Sequence, residues 1–315
     1  MREDDREAGE VAPGGRGSET IDRARDLSVI VPCHNEETTL PAQLEALLAE
    51  DWAGDWEIIV VDNASTDDTA TVARSFDHAD ATVRVHVVSA FGGRGVAYAR
   101  NRGIAASVAH SIAICDGDDL IAPGWVAAIG DALATTPLVS SRLDTDRLNP
   151  AWLAHTRPLP ADGLPAFGEV RFAHGGACGM HRAVWQELGG FDSAFDGVED
   201  IEFGLRAHAA GYRPERAGDA TVHYRLRRGL GSVWRQGVGY GRRRAALTAR
   251  ARALGITPPS RAAGWKSVAW LLVRLPTVAT RRGRYAWTWT FASRVGVGQG
   301  AVRRRPMPIP RAAAA

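Results

Sequence analysis

Four short apolar runs, each closed by a cluster of polar residues, recur in the first 120 residues of this 315-residue chain and restrict what it can fold into. Residues 27–32 (LSVIVP), 57–61 (EIIVV), 83–88 and 111–115 are short for buried helices and rich in β-branched residues. Each reads as a strand, the first two covered on both faces. Helical spacing lies between them. Residues 36–50 place Leu40, Leu44, Leu47 and Leu48 on one side; 65–76 offer Ser65 or Thr66 as N-cap with Asp67 and Asp68 in the first turn; 95–109 are rich in alanine. A further helix over 123–134 has proline at its start. Strand and helix alternating at this pitch predict βαβ units and a mostly parallel sheet flanked by helices.

The runs end in Cys33, His34, Asn35 and Glu36; in Asp62 and Asn63; in Ser89; and in Asp116, Gly117, Asp118 and Asp119. Ligands of open parallel sheets bind beyond the carboxyl ends of the strands, so these clusters should converge on one crevice. The alternation weakens from about residue 136. Residues 174–180 (HGGACGM) form a glycine-rich strand or loop, 199–211 a helix and 220–224 a strand. Residues 229–254 read as a helix despite Gly237, Gly239 and Gly241, and 265–275 as another with Trp265, Val268, Leu271, Leu272 and Leu275 on one face.

Charge divides the chain. Residues 1–219 hold all 36 acidic and 18 of the 38 basic residues, a net of −18, and residues 220–315 hold 20 basic and no acidic ones. A tail of that kind meets something anionic: a membrane, a nucleic acid or the acidic domain itself. It also carries Trp234, Trp265, Trp270, Trp287 and Trp289, and arginine with aromatics suits a membrane interface. The polar segment 1–26 lacks the apolar core of a signal peptide, and no run approaches the ~18 apolar residues that span a bilayer. Cys33, Cys115 and Cys178 have neither metal nor disulfide spacing and read as small buried residues in a reducing compartment.

Asp116, Asp118 and Asp119 are the strongest chemical signal. Three carboxylates in four residues repel one another unless a cation or donors neutralise them, and hard oxygen ligands suit Mg²⁺ or Mn²⁺ bridging to a phosphate. Glu199 and Asp200 open a helix after a glycine-rich loop, where acids also favour the helix dipole; facing an acceptor hydroxyl, one would serve as general base. Asp62 and Asn63 combine an Asx turn with a candidate nucleobase contact. Arg94, Arg100 and Asn101 surround the start of the third helix, where arginine can grip diphosphate. Gly175, Gly176 and Gly179 would let the backbone approach a substrate. His223 reads as a core histidine or a further metal ligand.

In this order the motifs resemble the family 2 glycosyltransferases of GT-A fold, over residues 27–225. The matching residues begin with Val31-Pro32-Cys33-His34-Asn35-Glu36 and Val60-Val61-Asp62-Asn63-Ala64-Ser65-Thr66-Asp67, and continue through Ala99-Arg100-Asn101-Arg102-Gly103 and Asp116-Gly117-Asp118-Asp119. Gly189-Gly190-Phe191-Asp192 and Val198-Glu199-Asp200-Ile201-Glu202 follow. The resemblance implies a metal and diphosphate site at Asp118 with Asp116 and Asp119, and base contacts at Asp62 and Asn63. It further implies Pro32 and Glu36 lining the nucleoside pocket, Asp200 as the base that deprotonates the acceptor, His223 as a late metal ligand, and inversion at the anomeric carbon. Asn63 departs from the aspartate of many members, which leaves uracil, thymine and guanine donors open.

The expected organisation is a disordered segment over 1–26, the GT-A domain over 27–225, a basic amphipathic helical extension over 226–302 and a disordered tail over 303–315. The expected partners are a nucleotide-sugar donor, a glycan or lipid-linked acceptor, and an anionic membrane surface on the cytoplasmic face; nucleic acid is not expected. The competing readings are a nucleotidyltransferase, disfavoured because the first strand ends in acidic residues rather than a phosphate-cradling glycine loop, and a non-enzymatic binder of anionic polymers.

Overall fold

All seven residues of β1 (Leu27–Cys33) and of β2 (Trp56–Asp62) are buried, as apolar runs covered on both faces must be. A computed structural model describes residues 26–78, 82–157, 159–160 and 162–302. The segments expected to be disordered, 1–26 and 303–315, lie outside them except for Asp26, whose amide donates to the Asp55 carbonyl at 2.8 Å.

With α1 (Leu40–Leu48), α2 (Thr69–Arg74), β3 (Arg84–Ser89), α3 (Val96–Ala106) and β4 (Ser111–Cys115), these strands form the expected parallel half-sheet. Side chains alternate across it. Val29 and Val31 of β1 pack with Leu40, Leu44 and Trp125 on one face, while Ile30 joins Ile104, Ile112 and Phe203 on the other.

The helices start later than their patterns suggested, because loop contacts take the capping groups. Ser65 Oγ accepts from the Asn35 amide at 3.0 Å, so α2 begins after Asp67, whose carboxylate receives the Thr69 amide at 3.1 Å. Pro123 does not open the next helix, α4 (Trp125–Leu133); Gly124 precedes it at φ 79°, and Glu50 accepts from the amides of Gly124 and Val126 at 2.8 Å each.

Beyond β4 the chain adds β5 (Leu120–Ile121), β6 (Leu138–Asp144), α5 (Ala151–Ala154) and the hairpin β7 (Ala166–Phe167) with β8 (Val170–Arg171). Then come β9 (Ala177–His181), α6 (Arg182–Glu187), α7 (Glu199–Ala209) and β10 (Glu215–His223). The eight-stranded sheet runs β3-β2-β1-β4-β9-β6-β10-β5. β9 is antiparallel to both β4 and β6, and β5 antiparallel to β10, so the sheet is mixed at this end. Gly179 serves this packing rather than a substrate: an added Cβ would meet Ile129, Leu133 and Val139 at 2.9–3.0 Å.

The extension comprises α8 (Leu230–Ala253), α9 (Arg261–Val273) and α10 (Arg281–Val302). It packs on the domain. Arg250 of α8 is buried and ion-paired to Asp192 (3.1 Å) and to Glu202 of α7 (3.4 Å). The glycines that weaken α8 as an isolated helix explain its partner. A Cβ on Gly237 would meet Ala292, one on Gly241 the Ser293 carbonyl, and one on Gly300 the Arg242 carbonyl. Contacts advance together along both helices, so α8 and α10 run in the same sense, backbone against backbone. Leucine at Gly241 should therefore force the pair apart and lower stability by about 1–3 kcal/mol in chemical denaturation. α9 differs from expectation: Leu271 is buried, but Trp265, Leu272 and Val273 are 70–75% exposed, and Leu275 falls in a 3₁₀ turn past the helix end.

Candidate active site

The carboxyl ends of β1, β2 and β4, the start of α7 and the extension enclose one cavity of about 690 Å³. Among expected site residues, Pro32, Glu36, Asn63, Arg94, Asp116, Asp118, Asp119, Glu199 and Asp200 line it.

The acidic turn after β4 is held from below. Gln43 of α1 is fully buried, donating to the Asp116 carbonyl (3.1 Å) and accepting from the Ile121 amide (2.9 Å). Asp116, Asp118 and Asp119 bring one carboxylate oxygen each within 4.8 Å of one another. Burial, followed by Asp116, pushes the Asp118 carboxyl up, and burial, Asp118 and Asp116 push Asp119 well above the usual range. Glu36 behind them is pushed up to about 9 by burial and then by Asp118 and Asp116, and its Oε2 is buried without a hydrogen-bond partner. Gly117 has no room for a side chain: a Cβ would meet Glu36 Oε2 and Cys33 Sγ. Crowded hard oxygens with an orphaned carboxyl atom fit a divalent cation. Arg225 caps the turn, its amide on Asp119 Oδ1 (2.6 Å) and its Nε on the Asp118 carbonyl (2.7 Å); Arg227 reaches Asp118 at 3.9 Å.

A carboxyl at about 9 in the fold and near 4.5 unfolded gives its full stabilisation below pH 4.5 and loses it as pH rises towards 9. In the presence of a chelator, Glu36→Gln should therefore gain thermal stability relative to the wild type steadily between pH 5 and 9. Parallel melts at fixed ionic strength measure this.

Arg100 of α3 joins the two acidic clusters: Nη2 meets Asp116 (2.9 Å) and Nη1 meets Glu199 (2.5 Å). Burial opposes its charge, but these carboxylates hold the guanidinium firmly protonated. Burial lifts Glu199 to about 7 against the pull of Arg100. The short contact, with the Gly197 amide on the other Glu199 oxygen (2.5 Å), makes the charged pair the state we assign at neutral pH. Glu199 is thus committed to structure. Asp200 is freer: its two oxygens take the amides of Gly175 (3.3 Å) and Ile201 (2.8 Å) and keep lone pairs for another donor. Gly175 and Gly176 lie against Arg100, Asp200 and Asp116, where a Cβ would collide with those side chains.

Three expected residues, Asp62, Asn101 and His223, stand outside the cavity lining, and a fourth, Asn63, lines it but is spent on a loop. Asp62 is outside the cavity lining and receives the Ser65 amide at 3.1 Å. The Asn63 amide donates to the carbonyls of Ala90 (2.7 Å) and Gly93 (2.9 Å) and accepts from Gly95 (3.0 Å), so it fastens the β3–α3 loop that carries Arg94. Asn101 lies outside the lining and is spent on Phe191 and Trp185, at 2.7–3.0 Å. His223 binds Asp144 through Nδ1 (2.7 Å) and Arg147 through Nε2 (3.3 Å), and is not in the carboxylate group that can share an ion. His34, from the first strand-end cluster, also lines it, and lining residues the sequence did not signal include Arg157, Phe172, His174, Tyr224, Gln236 and Tyr240.

The model of Glycosyl transferase family 2 matches residues 28–189, ending short of Glu199 and Asp200. The chain is 40% identical over 99 residues to the Succinoglycan biosynthesis protein ExoU of Rhizobium meliloti (strain 1021), covering 31% of this chain and 28% of that protein. It is 30% identical over 156 residues to ExoO, a Succinoglycan biosynthesis protein of the same strain, covering 47% and 43%. It therefore spans less than half the length of either. Among solved structures, the mannosyltransferase PcManGT from Pyrobaculum calidifontis, in complex with GDP-Man and Mn²⁺, shares the fold with a TM-score of 0.63 at 20% identity. That likeness covers 90% of this chain and 89% of the other.

Proposed function

Since the chain belongs to glycosyl transferase family 2, we propose that it moves a sugar from a nucleoside diphosphate to a hydroxyl acceptor, inverting the anomeric centre, with a divalent cation held by Asp116, Asp118 and Asp119. The supporting observation is one cavity that brings those three carboxylates together with a carboxylate, Asp200, that keeps free lone pairs.

When bound, Mg²⁺ or Mn²⁺ would offset the negative charge that grows on the leaving diphosphate. The chain's own residues do the rest. Pro32, His34 and the loop of Arg94 receive the nucleoside end, and Arg225 and Arg227 add positive charge beside the diphosphate. Gly175 and Gly176 leave room for the side chains of Arg100, Asp200 and Asp116 beside the sugar. Asp200 takes the proton of the acceptor hydroxyl as its oxygen attacks the anomeric carbon from the face opposite the diphosphate, so a single displacement inverts the centre. Glu199 and Arg100 hold the start of α7 in place.

The donor class follows from a screen of UDP-, GDP- and dTDP-sugars with Mn²⁺ or Mg²⁺. At least one should release its nucleoside diphosphate; release from none overturns the proposal. The family match sets the nucleotidyltransferase alternative aside.

The acceptor we propose is a glycan or lipid-linked sugar met at the cytoplasmic face of a membrane. No helix among the described residues is long and apolar enough to cross a bilayer. The exposed Trp265, Leu272 and Val273 of α9, flanked by Lys266, Arg274, Arg281 and Arg282, suit an anionic interface. The protein should co-sediment with phosphatidylglycerol vesicles at low salt, and Trp265→Ser with Leu272→Ser should halve that binding or more.

A further inference from the structure

One wall of the cavity is built largely by residues outside the acid cluster, and the proposed chemistry does not use it. Arg157, which follows α5, lies over the ring of Trp289 in α10 with its guanidinium carbon 3.8 Å from the ring centroid. Its Nη2 donates to Gln236 Oε1 of α8 at 2.7 Å. The phenols of Tyr224 and Tyr240 lie near enough to feel its charge. Stacking and the amide bond fix the plane of the guanidinium, so its fork is set before any ligand arrives.

Among the described residues no carboxylate forms an ion pair with this cation. The described ion pairs of the cavity involve other arginines: Arg100 with Asp116 and Glu199, and Arg227 with Asp118. Burial pulls the pKa of Arg157 down and Arg227 repels it, while the neighbouring phenols of Tyr224 and Tyr240 are held neutral by burial. A half-buried guanidinium facing an open cavity under those conditions is best satisfied by an anionic ligand.

The position of the wall says which ligand. Tyr240 of α8 lines the same cavity as Asp200, Glu199 and Arg157 and feels the charge of all three. Nearby, His174 lines the cavity within reach of the Asp200 charge, with its Nε2 buried and unpartnered. The nucleoside end, at Pro32, His34 and Arg94, is built by the opposite half of the fold, and the diphosphate has Arg225 and Arg227 of its own.

We propose that Arg157, with Gln236, Tyr224 and Tyr240, forms a subsite for an anionic group, carboxylate or phosphate, carried by the acceptor close to the attacking hydroxyl. This rests on the transferase reading and adds to it the charge of the acceptor.

The experiment uses the full chain, a donor identified by the screen, and acceptors differing in charge: methyl β-D-glucuronide, glucose 6-phosphate and the neutral methyl β-D-glucoside. The wild type should favour one charged acceptor over the neutral one by roughly 10- to 100-fold in kcat/KM, the range of a charge-assisted hydrogen bond. Whether the uronate or the phosphate wins identifies the anion. Arg157→Gln should bring that ratio towards one through KM, with donor affinity in calorimetry within about twofold of wild type. Arg157→Lys, which keeps the charge but not the planar stack, should retain more of the preference than Arg157→Gln at equal thermal stability. Equal use of charged and neutral acceptors by the wild type, or an equal loss on both in Arg157→Gln, overturns the subsite while leaving the transferase reading standing. Failure to cleave any sugar nucleotide, with or without acceptor, overturns both.

Discussion

Alanine at Asp118 is expected to lower sugar transfer by about 10³-fold, while the metal-free protein becomes no less stable. The two effects share one cause. Asp118 lines the cavity and belongs to the carboxylate group that can share an ion. Without a cation it is a liability, because it raises both Glu36 and Asp119 by repulsion. Removing it relieves those neighbours and leaves Arg227 without a partner it only approaches, at 3.9 Å. Initial rates with Mn²⁺ and melting curves in chelator, on the same preparation, give both readings. A loss of activity accompanied by a large loss of metal-free stability would mean that Asp118 is structural.

Asparagine at Asp200 should lower kcat by about 10²- to 10⁴-fold, the usual contribution of a positioned base, and leave donor affinity near its wild-type value. The amide keeps the shape and can still accept from the Gly175 and Ile201 amides, but it cannot take a proton. Asp200 is not part of the ion-sharing group, so donor binding should not need its charge. Glu199→Gln provides the contrast. Its carboxylate is bound to Arg100 and to the Gly197 amide, so that substitution should appear mainly as lost stability. If Asp200→Asn retained full kcat, another group would have to be the base.

The parts of this molecule that could be read from its sequence are those in which burial alone dictates the pattern. β1, β2 and β4 are continuous apolar runs because both faces of a parallel sheet are covered, and the acidic turn after β4 follows from where β4 ends. The insertion of β9 between β4 and β6 was not readable, since five residues with three small side chains state neither direction nor neighbour. α10 lies in the helical extension expected over 226–302, but its bounds were not readable because its glycines and aromatics follow the surface of α8 rather than a regular apolar stripe.

Polar residues were harder still. Asp62 and Asn63 sit at the end of β2 and Asn101 in the middle of α3, where a side chain can face a ligand or hold a loop. Their hydrogen bonds show them closing loops. His223, in an apolar strand pattern, found its partner in Asp144, 79 positions away. Arg157, Gln236 and Trp289 come together only because α8 and α10 fold back onto the domain, and no local pattern marks them.

The central claim is that a cation held by Asp116, Asp118 and Asp119 links the protein to the diphosphate of its donor. Calorimetric titration of the best donor from the screen into the wild-type protein, once with Mn²⁺ and once with chelator, tests it most directly. Binding at least tenfold tighter with Mn²⁺, and a difference that disappears in Asp118→Ala, is the predicted result. Equal affinity under both conditions would contradict the account.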